Sequence, residues 1–68
     1  MTLGEKIYQL RRRENLTQAD LGDIIGWSDS RIGAYERGEI KHPRQESVLK
    51  IAAAFNMSYD EFMTNVEV

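Results

Sequence analysis

Helix starts and stops punctuate the chain at short intervals, leaving room only for a set of short helices. Thr2 and Glu5 have the T-x-x-E spacing of a capping box, in which each side chain bonds an otherwise orphaned backbone N–H, and Ser58 and Glu61 repeat it. Thr17 and Ser28 each stand where a hydroxyl accepts from the first turn of a helix. Between these starts come Asn15, Gly26, Gly38 and Asn56, residue types that tolerate the left-handed backbone at a helix end. The spacing predicts one helix from just after Thr2 to a stop at Asn15, then Gln18–Ile25, Asp29–Arg37 and Gln45–Phe55. Ser58 opens a last short helix holding Phe62 and Met63. Nothing reads as a strand. The expected class is all-α: five helices in one domain over residues 1–68, with a tail at 64–68.

Helical periodicity supports each segment. Leu3, Ile7 and Leu10 recur at i, i+4 and i+7. Leu21 and Ile25 form the inward pair of the second helix, and Ile32 and Tyr35 that of the third. The fourth carries Val48, Leu49, Ile51, Ala52 and Phe55. A domain of this size buries only about 60% of the surface its unfolded chain exposes, so its stability is marginal. With no cysteine and His42 as the sole histidine, neither a disulfide nor a usual metal site is available. No base–nucleophile arrangement is visible. The expectation is therefore no enzyme activity, no cofactor, no metal and no evident small-molecule ligand. No apolar run reaches the ~20 residues of a membrane span. "MTLGEKIYQL" lacks the pattern of a signal peptide, so a cytoplasmic protein without a membrane partner is expected.

The net charge of −2 argues, taken alone, against a nucleic-acid partner. Its distribution argues otherwise. Residues 31–44 carry a net +2 with His42 in addition, whereas residues 45–68 carry −3. Fields act over about a Debye length, ~8–10 Å at physiological salt, so local imbalance outweighs the total.

The two helices joined through Gly26, Trp27 and Ser28 have the tight, glycine-containing turn of a helix-turn-helix. The run "LRRRENLTQADLGDIIGWSDSRIGAYERGE" resembles the Cro-type, lambda-repressor-like helix-turn-helix family. Leu10-Arg11, Thr17-Gln18, Leu21, Gly26, Ser28, Ile32, Tyr35-Glu36 and Gly38 carry the resemblance. "KHPR" and "IAAAFNMSYDEF" are similar to the parts that follow, so it covers about residues 3 to 63.

The resemblance implies a phage- or plasmid-type transcriptional regulator with the third helix in a DNA major groove. Asp29, Ser30, Arg31, Gly33 and Ala34 are then the base-reading positions, with Arg31 on guanine or on phosphate. Gln18, at the donor-rich start of the second helix, and Ser28 fall to the DNA backbone. Arg37 and Gly38 would present main-chain N–H groups to phosphate. Lys41 and Arg44 would neutralise phosphates, and His42 would assist as donor or as bulk. Gly33 and Ala34 leave a bare helix face for close approach to the groove floor. Arg11 and Glu36 are expected to form a structural salt bridge, off the DNA. Arg12 and Arg13 read first as a solvated face, with DNA contact as the less favoured alternative.

Three positions depart from the family pattern. Gly22 stands where alanine is usual. Trp27 replaces a smaller aliphatic residue, either as a core plug or as a partly exposed aromatic against DNA or a partner. Asp29 replaces an amide or basic residue; it either accepts from cytosine or complements the positive end of its helix. The family implies a homodimer on a pseudo-palindromic operator, with the last helix and the tail as candidate interface through Tyr59, Phe62, Met63, Val66 and Val68, although Phe62 also suits the monomer core. RNA polymerase or an antirepressor are further partners the resemblance allows. A competing reading is a protein-interaction module, an antitoxin or anti-repressor, that kept the fold. The acidic balance favours it and the basic "KHPR" loop disfavours it.

Overall fold

Each hydroxyl residue expected to open a helix does so in the computed structural model, which describes residues 1–67. The helices are α1 (Leu3–Arg13), α2 (Gln18–Ile25), α3 (Asp29–Glu36), α4 (Gln45–Ala54) and α5 (Tyr59–Met63). Thr2 Oγ1 accepts from the Glu5 N–H at 3.1 Å, Thr17 Oγ1 from Asp20 at 3.0 Å, Ser28 Oγ from Arg31 at 3.2 Å and Ser58 Oγ from Glu61 at 3.2 Å. At α2 the Thr17 N–H donates to Asp20 Oδ2 at 2.9 Å, closing a box that the T-x-x-E template passes over because aspartate is one carbon shorter. The α4 start, with Arg44 at its cap, has no side-chain cap.

The stops share one geometry. Asn15, Gly26, Gly38 and Asn56 all have positive φ. Behind each, an N–H reaches back five residues to close the end: Leu16 to Arg11 O, Trp27 to Gly22 O, Glu39 to Ala34 O and Met57 to Ala52 O. This is the Schellman closure, and it satisfies carbonyls the helix leaves open. The observed α3 ends at Glu36 and α4 at Ala54, each a residue short of expectation, because Arg37 and Phe55 serve as the C-caps.

α3 is the hub, packing on α1 and α2, while α4 packs on α2 and α5. Ile7, Leu21, Ile32, Ile51 and Phe62 are fully buried at the centre. Leu49, expected with the inward set of α4, is instead exposed. Phe62 was expected at a dimer interface or in the core; at 0% exposure it is a core residue and out of reach of any partner. The tail folds back on the chain start. The Glu67 N–H donates to Met1 O at 2.8 Å, Met1 N to Asn65 O at 2.9 Å, and Lys6 Nζ to Thr64 O at 3.0 Å. Val66 is half-buried there, and Val68 lies outside the described residues. No helix among the described residues is long and apolar enough to cross a membrane.

Candidate nucleic-acid interface

Packing leaves one side of α3 outward. Ile32 and Tyr35 are buried, whereas Asp29, Ser30 and Arg31 in its first turn are exposed. The N–H groups of Asp29 and Ser30, and of Gln18 and Ala19 at the start of α2, have no hydrogen-bond partner among the described residues. Such first-turn donors, at the positive end of a helix dipole, suit an anion. The Ser28 hydroxyl oxygen is engaged as the α3 cap, which leaves its proton to donate outward.

The α2 start and the α3 face are tied together. Gln18 Nε2 donates to Glu36 Oε1 at 3.1 Å. Glu36 also receives the buried Arg11 guanidinium, whose pKa is raised first by that hydrogen bond. The expected salt bridge is therefore present, and Gln18 is held by it rather than free in solvent. Gly33 lies buried beneath neighbouring side chains: a Cβ built there meets Arg37 Nη1 at 2.8 Å and Gln18 Oε1 at 3.3 Å. This corrects the expectation of a bare face at Gly33. The glycine accommodates two side chains of this chain. Ala34 is half-buried.

A second correction concerns the residues after α3. The Arg37 N–H donates to Gly33 O at 2.9 Å and the Gly38 N–H to Tyr35 O at 3.2 Å, so the helix end consumes both donors offered to phosphate. The Arg37 guanidinium is itself paired, Nε to Glu39 Oε2 at 2.7 Å, which raises its pKa and lowers that of Glu39.

The basic side chains converge further along. Arg31, His42, Arg44 and Lys50 line one open cleft of about 240 Å³, together with Trp27 and Tyr35. Glu46 is the sole acid among its lining residues; its Oε1 stands 4.0 Å from Arg44 Nη1, a loose and fully solvated approach. Lys41 is exposed on the same loop. The sequence reading did not include Lys50. Its signal there, the i+4 partner of Glu46, looks like an ordinary surface pair. Trp27 combines the two roles left open for it: it is half-buried, stacks on Tyr35 with centroids 5.2 Å apart, and carries Arg31 over its ring.

Comparison with known proteins places the fold in a family. A family profile described as helix-turn-helix matches residues 7–62. The chain is 34% identical over its full 68 residues to the HTH-type transcriptional activator BcrR of Enterococcus faecalis, covering 33% of that protein. It is 39% identical over 90% of its length to the cryptic phage CTXphi transcriptional repressor RstR of Vibrio cholerae, covering 54% of it. The chain thus spans a third to about half of these relatives. Among solved structures, the DNA-binding domain of the P22 C2 repressor superposes with a TM-score of 0.84 at 31% identity, over 96% of this chain and 84% of that one. The same repressor bound to a synthetic operator superposes at 0.79 and 32% identity, over 91% of this chain and 92% of that one.

Proposed function

The chain belongs to the lambda-repressor-like helix-turn-helix family, a class of non-enzymatic regulators, and on that premise we propose that it reads an operator in double-stranded DNA. In this reading α3 enters the major groove and its first turn, Asp29, Ser30 and Arg31, faces base edges. Gln18 and the free N–H groups of α2 take one phosphate. Lys41, His42, Arg44 and Lys50 take others. The observation that carries the proposal is the gathering of Arg31, His42, Arg44 and Lys50 around one cleft beside that exposed turn, in a chain of net charge −2. Three cations and an imidazole donor gathered in this way match a polyanion.

A two-fold dimer on a pseudo-palindrome follows the family geometry, with half-sites about 34 Å apart. The α5 end supplies its contact, through Tyr59, Met63 and Val66, which remain half-exposed. Occupancy of the operator in the cytoplasm, or on the nucleoid, would then repress by excluding RNA polymerase, and an antirepressor would act by competing for the same chain. Selection of bound duplexes from a random library at fixed salt tests the reading. A two-fold symmetric consensus is expected. No enrichment at any salt would overturn it in favour of a protein-interaction module such as an antitoxin.

A further inference from the structure

We propose that Trp27 is a positioning residue for DNA recognition, holding the Arg31 guanidinium stacked and unpaired at the start of α3. This role rests on the DNA-binding reading above. Arg31 Cζ lies 3.8 Å from the centroid of the Trp27 ring. Trp27 is itself fixed, because it stacks at 5.2 Å and 28° on Tyr35, a core residue. Trp27, in the turn before α3, thus joins the buried end of α3 at Tyr35 to its exposed first turn at Arg31.

The way Arg31 is held sets it apart from its neighbours. Arg11 is held by Glu36 and Arg37 by Glu39, each with Nε to a carboxylate oxygen at 2.7 Å, and Arg44 stands 4.0 Å from Glu46. At Arg11 and Arg37 a carboxylate occupies the guanidinium fork, so a phosphate or guanine must displace it. An aromatic face engages the π-surface instead and leaves the in-plane N–H donors open. Among the described residues the Arg31 side chain donates no hydrogen bond and joins no ion pair. The stack also removes rotamer freedom during folding, so less is lost when the arginine meets its target. Trp27 thus converts a flexible surface arginine into an oriented one.

The test is a double-mutant cycle on a duplex selected by the wild-type chain from a random library, read as Kd at fixed salt. Arg31→Ala weakens binding about tenfold or more, as loss of one arginine contact does. Trp27→Leu weakens it several-fold in the Arg31 background and leaves it unchanged in the Arg31→Ala background; Trp27→Phe, which keeps an aromatic face, falls between. Equal weakening in both backgrounds overturns the proposal, since Trp27 then acts apart from Arg31. If Trp27→Leu does not fold, the Phe variant completes the cycle. A second readout needs no DNA: indole ring current shifts the Arg31 Hδ and Nε–H resonances upfield in the free chain. Unshifted Arg31 resonances overturn the proposal. Failure to enrich any duplex sinks the DNA-binding reading and this role with it. An enriched duplex bound equally by wild type and Trp27→Leu sinks this role alone.

Discussion

Arg11 and Glu36 form a buried two-armed ion pair, Nε to Oε2 at 2.7 Å and Nη2 to Oε1 at 3.1 Å, with side chains only 7% and 8% exposed. The third arm of the guanidinium, Nη1, donates to Leu16 O at 2.8 Å. Gln18 completes the set on Glu36 Oε1. One charged pair thus joins α1, the α1–α2 link, the start of α2 and the end of α3, so the angle of α3 depends on it.

Removing Glu36 should therefore cost far more than a surface bridge would. In Glu36→Ala the Arg11 guanidinium stays buried without its partner, a loss of about 3–5 kcal/mol. In a domain this small that is most of the stability. Urea denaturation should show the single variant largely unfolded in buffer. The double variant Arg11→Met with Glu36→Leu should recover most of the loss, because it removes the stranded charge. A Glu36→Ala variant with an unchanged midpoint would refute the buried-pair account.

Two glycines should respond oppositely to alanine. At Gly22 the new Cβ would collide with the Trp27 carbonyl oxygen, a backbone atom of the turn that cannot swing away. Overpacking of about 1–3 kcal/mol should outweigh the gain in helix propensity. At Gly33 the near atom is Arg37 Nη1, the end of a flexible exposed side chain. Gly33→Ala should hold or raise Tm, since the helix propensity it gains is up to about 1 kcal/mol. Thermal melts of the two variants give the comparison directly.

The caps make stability acid-sensitive. Glu5, Asp20 and Glu61 each have a pKa lowered, first by the backbone N–H of Thr2, Thr17 or Ser58. A carboxyl lowered on folding contributes stability that is complete above its unfolded pKa and lost as pH falls through its folded one. Stability should thus decline below the ordinary carboxylate range, about pH 4. In the variant Glu5→Gln, Asp20→Asn, Glu61→Gln the decline should be shallower. Denaturation midpoints measured between pH 6 and pH 3 check the sign.

Most of the fold was legible because caps and stops are local. Thr2, Thr17, Ser28 and Ser58 announce helix starts through a hydroxyl three residues from its donor, and Asn15 and Asn56 announce ends through one backbone angle. The site was less legible because its facts are contacts between elements. Gly33 reads as bare from sequence, yet Gln18, far back in the chain, covers it. Arg37 and Gly38 look like free donors until the α3 closure takes both N–H groups. Lys50 joins the basic cleft only once α4 packs beside the loop. Leu49 has the apolar character of a core residue, but the α4 stripe defined by Val48, Ile51 and Ala52 turns it outward.

The charge placement of the proposed interface yields a prediction in salt dependence. Arg44 is an exposed side chain lining the cleft, without a cap bond and with only a distant carboxylate. If it neutralises a phosphate, Arg44→Gln should weaken every duplex about equally and reduce the slope of log K against log salt by about one per bound subunit. Asp29→Asn, at the exposed first turn of α3, should leave that slope nearly unchanged if the aspartate reads a base, while altering which duplexes are preferred. If the aspartate only complements the helix end, preference should stay and stability should fall by about 0.3–1 kcal/mol. Titrations of the library-selected duplex between 50 and 200 mM salt, run for both variants, distinguish charge from sequence readout. A slope identical to wild type in Arg44→Gln would remove Arg44 from the interface.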